Sequence, residues 1–257
     1  MKITVLGAGA YGLALGGILV QNGHLVNYYD IRFKDTSLKK ALSGTEMILL
    51  AVPSKVAPYL LPHLPKNLPL IIATIGFLSK KPFASFMDLM AISGPGFADD
   101  IKAKKETRLT ATDQRIVDLF TTSYLTFDYT DDVDGVLMCG ALKNVYAILA
   151  GWLGLGRNSK EWNKYIDGVL EEMKRILCIN GANPQTVDLA CGIGDLKLTC
   201  GSPSRNFEFG RKLRFNHFID SGETVEGLVA INRICRGAIK TPHDAKYLNQ
   251  IKEIICH

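Results

Sequence analysis

The sequence predicts an α/β fold, a doubly wound and mainly parallel sheet followed by an all-α half. Three observations carry this expectation. Short β-rich runs alternate with helix-length segments through the first half, a glycine motif stands at the first strand-to-helix junction, and strand signals fade after Asp134. At roughly 150 residues per domain, 257 residues correspond to about 1.7 domains. The boundary is placed near Thr130, giving units 1–130 and 131–257.

Residues 2–6 (KITVL) form the first expected strand and end at Gly7, and residues 10–21 have the length and small-residue content of a helix closed by Gly23. Residues 25–30 (LVNYYD) are a second strand. Residues 47–52 (MILLAV) are a third, stopped by Pro53, and residues 70–74 (LIIAT) a fourth, after Pro69. Residues 90–93, 108–112 and 125–129 add further strands. Helix-length spacers between them call for right-handed crossovers and parallel pairing. Residues 136–149 (VLMCGALKNVYAIL) are apolar nearly all round, as a helix in the middle of a bundle is. Asn158 or Ser159 can cap a helix running to about Asn180, with Gly181 as its stop. Asn183-Pro184 and Thr241-Pro242 each open another helix by the same reading.

Hydrophobic residues make up 47% of the chain and charged residues 21%, which excludes a disordered or collagen-like chain. Thirty Lys and Arg against 25 Asp and Glu leave +5, without a basic block able to follow a nucleic-acid backbone; a small anionic ligand is the simpler partner. Residues 1–20 lack a charged leader and are broken by five glycines, and no uninterrupted apolar run of about 18 residues reads as a membrane span. The six cysteines show no C-x-x-C spacing, so reduced thiols, a cytoplasmic location and no metal site are expected.

Gly7-Ala8-Gly9-Ala10-Tyr11-Gly12 is G-x-G-x-x-G between a strand and a helix. Gly7 can make the tight turn, Gly9 lets a pyrophosphate approach the backbone, and Gly12 lets the helix pack on the strand, while the helix N-terminus offers N–H groups and a positive dipole end. The other reading is a glycine-rich turn with no ligand. Asp30, at the end of the second strand, stands near the spacing at which a carboxylate reaches the ribose hydroxyls of NAD, and its charge opposes a 2′-phosphate. Arg32 softens that preference and leaves NADP open. Asp30 as a loop cap is the alternative.

Lys143 and Asn144 stand inside the apolar helix. A buried ammonium needs a partner or a task, and desolvation brings such a group toward the range useful for proton transfer; alternatively Lys143 snorkels to the surface or pairs with a carboxylate for packing. In Gly192-Ile193-Gly194-Asp195-Leu196-Lys197-Leu198-Thr199-Cys200, Asp195 is a candidate partner for Lys143 or an exposed turn aspartate. Ser202-Pro203-Ser204-Arg205-Asn206 reads either as a phosphate cradle at a helix start or as an ordinary cap with a solvated arginine.

At these residues the chain resembles the NAD(P)-dependent glycerol-3-phosphate dehydrogenases. The likeness rests on Gly7 to Gly12, Val52-Pro53-Ser54, Ser93-Gly94-Pro95 with Phe97-Ala98, Gly140-Ala141-Leu142-Lys143-Asn144-Val145, Gly192 to Cys200, Ser204-Arg205-Asn206 and Val225-Glu226-Gly227, in family order over nearly the whole chain. It implies a Rossmann domain, a helical substrate domain, and hydride transfer between the nicotinamide ring and the carbonyl carbon of dihydroxyacetone phosphate, a step toward phospholipid synthesis. By motif position, Lys143 is implied as proton donor with Asp195 beside it. Gly94, Asn144, Thr199, Ser204, Arg205 and Asn206 would face the substrate. Gly7, Gly9, Ala10, Tyr11, Gly12, Asp30, Pro53, Ala98, Arg205 and Glu226 would face the cofactor, and a homodimer is the implied assembly.

Two departures bear on the substrate. The Thr-Lys-Gly usual after the fourth strand is here Thr74-Ile75-Gly76, which removes an ammonium, and Lys80 or Lys81 on a loop is a poor substitute. The usual Gly-Pro-Ser is Gly94-Pro95-Gly96, which removes a hydroxyl. A dehydrogenase for a related small anionic ketone, or a weak or silent NAD-binding protein, therefore stay open as alternatives.

Overall fold

The computed structural model describes residues 1–34, 36–201, 204–215 and 225–256. Its two units are Met1–Thr74 with Lys80–Val133, and Ile75–Ser79 with Asp134–His257.

The first unit runs β1 (Lys2–Leu6), α1 (Ala10–Gln21), β2 (Leu25–Tyr29), α2 (Leu38–Ala41), β3 (Met47–Leu50), α3 (Ala57–Leu60), β4 (Leu70–Ile72), β5 (Leu89–Ser93), α4 (Ala98–Lys102), β6 (Thr107–Ala111), α5 (Gln114–Phe120) and β7 (Leu125–Tyr129). The seven strands form one sheet in the order β2-β1-β3-β4-β5-β6-β7. β1 pairs in parallel with β2 from Lys2↔Leu25 and with β3 from Ile3↔Met47, and β4 and β5 continue the parallel set. β6 is antiparallel to β5, and β7 parallel to β6. The mainly parallel, doubly wound expectation therefore holds, with one reversal. Ile3, Val5, Leu49, Ile71 and Ile92 join Leu15, Ile18 and Leu19 of α1 and Ile116 and Phe120 of α5 in one core layer. Leu6, Ile48, Leu50, Leu70 and Ile72, on the alternate face, are also fully buried, so the strands read as continuous apolar runs because both faces are covered. The chain leaves β1 toward β2 and returns across it to β3, which places a topological switch at the C-terminal ends of β1 and β3, where the glycine loop begins.

The second unit is helical: α6 (Val133–Leu153), α7 (Lys160–Ile179), α8 (Asp195–Thr199), α9 (Arg205–Arg214), α10 (Glu226–Cys235) and α11 (Lys246–Ile255). Every residue of α6 from Gly135 to Gly151 is buried. By length and composition this helix could cross a membrane, yet 89% of its apolar window lies inside the protein, as in the core helix of a bundle. α9 lies directly on α6: a Cβ added at Gly210 would stand 1.9 Å from the Ile148 carbonyl oxygen, and one at Gly151 would stand 2.0 Å from that of Phe207. Ser159 caps α7 by accepting from the Trp162 N–H at 3.1 Å.

Three expectations are corrected. Asn183-Pro184 opens only a 3-10 stretch, Pro184–Asp188, because the backbone is extended at Leu189 and turns so that Gly192 packs on Val187. The last helix starts at Lys246 rather than at Pro242. Its first N–H groups, those of Tyr247 and Leu248, are captured by the Glu172 carboxylate of α7 at 3.0 and 2.7 Å. The six cysteines are not all reduced: Cys235 and Cys256 form a disulfide, since the C-terminal ends of α10 and α11 meet although 21 residues separate them. Cys139, Cys178, Cys191 and Cys200 are free thiols.

Candidate functional site

The glycine loop is built as its residue types require. Gly7 has φ +103°, and a Cβ there would stand 2.6 Å from the Ala51 carbonyl oxygen; one at Gly12 would stand 2.0 Å from that of Gly7. Both positions need glycine for packing. At Gly9 the same test meets nothing within 4 Å, so that position opens outward. Gly9 precedes α1, whose first residues are Ala10, Tyr11 and Gly12, and no side chain caps the helix and no acid lies in its first turn. The positive end of the dipole is thus uncompensated beside open space, which fits a dinucleotide pyrophosphate.

Asp30 closes this loop from β2. Its Oδ2 accepts from the Ala8 N–H at 2.9 Å, its Oδ1 accepts from Arg32 Nε at 2.7 Å, and Arg32 Nη2 reaches the Ala8 carbonyl at 2.9 Å. The hydrogen-bonded Arg32 guanidinium, opposed by partial burial, holds the Asp30 carboxyl down at about 2. The expected ribose carboxylate is therefore also a loop cap, and Arg32 neutralises it. In the sequence Arg32 bears only on the NAD or NADP preference; its reach back to Ala8 depends on the turn after β2. Pro53 follows β3 and accepts from Val56 through its carbonyl, and Ala98 opens α4. Gly94 follows β5, and a Cβ at Gly96 would stand 3.1 and 3.2 Å from the Thr107 and Leu109 side chains. A cavity of about 640 Å³ in this unit, lined by Tyr29, Leu38, Leu42, Leu60 and His63 among others, contains none of these candidates.

In the helical unit Lys143 Nζ lies 2.5 Å from Asp195 Oδ2, with side chains only 7% and 2% exposed. The contact is a close, buried ion pair. Lys143 is therefore neither a snorkelling side chain nor a solvated one, and Asp195 is not an exposed turn residue. Asp195 opens α8 directly after a π-helical turn, Ala190–Gly194, an irregularity that re-aims side chains at functional sites. Burial pushes its carboxyl up, while Lys143 and Thr199, whose Oγ1 donates to Oδ1 at 3.4 Å, pull it down.

Beside the ion pair runs a buried amide chain. Asn144 Nδ2 donates to the Gly140 carbonyl at 3.1 Å, Asn206 Nδ2 donates to Asn144 Oδ1 at 2.7 Å, and the Gly227 N–H donates to Asn206 Oδ1 at 2.9 Å. Three helices, α6, α9 and α10, are thereby pinned at one place. Gly227 is required there, since a Cβ would stand 2.5 Å from the Asn144 carbonyl oxygen; the Val-Glu-Gly motif was the only sequence signal for it. Ser204 caps α9 by accepting from the Phe207 N–H, Arg205 is exposed, and Glu226 is half-buried at the start of α10. Ser202 and Pro203 of the expected cradle lie outside the described residues. Lys80 and Lys81 are exposed. Among the described residues no group of three or more His, Cys, Asp or Glu is placed to hold a metal ion.

Residues 132–257 match the family described as NAD-dependent glycerol-3-phosphate dehydrogenase C-terminus. Glycerol-3-phosphate dehydrogenase [NAD(P)+] of Geobacter sp. (strain M21) is 31% identical over 95% of this chain and 86% of its own length. The enzyme of that name from Leptospira biflexa is 31% identical over 96% and 88%. The crystal structure of glycerol-3-phosphate dehydrogenase from Coxiella burnetii superposes with a TM-score of 0.82 at 26% identity, covering 99% of this chain and 94% of that one. With this likeness running through both the glycine-loop unit and the helical unit, the chain belongs to the NAD(P)-dependent glycerol-3-phosphate dehydrogenase family.

Proposed function

We propose that the chain interconverts dihydroxyacetone phosphate and glycerol 3-phosphate, with Lys143 as the proton-donating residue. The observation that carries the reading is the buried Lys143–Asp195 pair. Such a pair is poor value for stability, since well-packed apolar residues of the same volume do as well or better. Its presence in an otherwise apolar helix is accounted for by chemistry.

A nicotinamide dinucleotide held at Gly7, Gly9, Ala10, Tyr11, Gly12 and Asp30 would exchange the hydride with C2 of the substrate. The chain's own residues handle charge and protons. In the reducing direction the Lys143 ammonium stabilises the negative charge developing on the C2 oxygen and then delivers its proton there. Asp195 holds the ammonium in place and Thr199 holds Asp195. Asn144 and Asn206 orient the substrate, with Ser204 and the exposed Arg205 on its phosphate side. Gly94, Pro53, Ala98 and Glu226 complete the substrate and cofactor surfaces in this proposal. A cytoplasmic homodimer supplying phospholipid synthesis is its cellular form, with assembly open to test by analytical ultracentrifugation.

NADH oxidation with dihydroxyacetone phosphate tests the function. Lys143→Ala is expected to lower kcat by about 10² or more with NADH affinity near normal. A second reading, a related small anionic ketone as substrate, draws support from Ile75 and Gly96, which stand where the family usually carries a lysine and a serine. It predicts a higher kcat/KM with such a ketone than with dihydroxyacetone phosphate.

A further inference from the structure

Five residues after β4, Ile75–Ser79, group with the helical unit although the chain on either side of them belongs to the sheet unit. Gly76, Phe77 and Leu78 are buried. One side chain of α10 reaches two residues of this segment. Arg233 of α10 donates from Nη1 to the Gly76 carbonyl at 2.7 Å, and its guanidinium lies 5.0 Å from the centre of the Phe77 ring. The guanidinium is partly buried, and burial pulls its pKa down against the field of Glu226. A cation held in this setting makes a stronger hydrogen bond to a carbonyl than a solvated one.

The same helix is fixed at its other end. Gly227 is bonded to Asn206, and Asn206 to Asn144, the neighbour of Lys143. Six residues separate Gly227 from Arg233, so at 1.5 Å per residue α10 spans about 9 Å between the two anchors. α10 is thus a rigid spacer with the amide chain of the Lys143 site at one end and the Gly76 carbonyl at the other. On the sheet side the segment is preceded by Thr74, whose hydroxyl is bonded to the Leu50 and Val52 carbonyls at 3.1 and 2.9 Å. Ile75 lies between these two fastenings, and its side chain carries no polar group.

We propose that Arg233 is a positioning residue for the substrate: by clamping Gly76 and Phe77 to α10 it sets where the Ile75–Ser79 segment stands relative to the amide chain beside Lys143. The inference rests on the proposed function for its substrate readout, but the clamp itself has a readout without substrate.

The test compares wild type with Arg233→Ala and Arg233→Lys. In hydrogen exchange without ligand, the amides of Phe77 and Leu78 in Arg233→Ala are expected to exchange about tenfold faster or more, the scale of one lost charged hydrogen bond. With dihydroxyacetone phosphate and NADH, KM for the ketone is expected to rise about tenfold while kcat and NADH affinity stay within about threefold. Arg233→Lys, which keeps the charge and one donor, recovers part of both changes. Unchanged exchange, unchanged KM, or a fall in kcat, NADH affinity and melting temperature together without recovery by lysine overturns the proposal. If wild type does not turn over the ketone, the proposed function falls, and the exchange comparison alone then upholds or overturns the clamp.

Discussion

Lys143 is charged where charge is expensive, and Asp195 makes that position tenable. Removing one member of a buried ion pair typically costs about 3–5 kcal/mol because the other is stranded. The sequence exposed this residue by contrast, as a lysine in an apolar helix, and Asp195 by the glycine-rich motif around it; the π-helical turn directly before Asp195 and the pairing with the ammonium are local and long-range geometry that no motif spells out. Asp30 was equally legible from its spacing, whereas its pairing with Arg32 was not. Two predictions belong to this pair. The Asp30 carboxyl is held below its ordinary 3.8, at about 2, so its contribution to stability is complete above pH 3.8 and is lost as the pH falls through about 2. In urea titrations at stepwise lower pH, Asp30→Asn should lack that part of the acid loss and so fall less steeply than wild type. Arg32 neutralises a carboxylate that would repel a 2′-phosphate. Arg32→Ala should therefore weaken NADPH relative to NADH by about fivefold or more, on the scale of ~1 kcal/mol for two charges in contact in water; equal losses in fluorescence titrations would contradict this.

Elements are brought to the site by close backbone contact and by shared polar groups. α9 reaches α6 through Gly210 and Gly151, and α10 through Gly227. The sequence discloses α6 by its apolar run and α9 only by a helix start at Ser204, and not which faces meet, because a glycine contact leaves no apolar stripe to read. α11 shows the same limit. Its start at Lys246 is not legible locally because the group that captures its N-terminal amides, Glu172, is on α7, 75 residues from Tyr247. The buried Glu172 carboxylate also accepts from the Tyr146 hydroxyl at 2.8 Å, and burial with the neighbouring carboxylate pushes that phenol well up. Glu172→Ala would strand three donors and should cost about 3 kcal/mol or more in urea unfolding, with kcat of the remaining folded enzyme little changed. A change below about 1 kcal/mol would show that water replaces the carboxylate.

For the whole molecule, the order of strand and helix runs disclosed the parallel sheet and the helical half. A period-2 or fully apolar run and a G-x-G-x-x-G are local features, and local features survive in a sequence. Long-range features did not show. The grouping of Ile75–Ser79 with the helices and the Cys235–Cys256 disulfide depend on which distant elements become neighbours, and no spacing rule encodes either. A family fold that lacks one usual lysine performs the proposed reaction through Lys143. The most direct test is the rate of NADH oxidation with dihydroxyacetone phosphate, measured for wild type and Lys143→Ala with NADH affinity determined for both. Wild type is expected to turn over, with kcat falling by about 10² or more in the variant at unchanged NADH affinity. Equal kcat in the two proteins, or NADH binding without turnover in wild type, would contradict it.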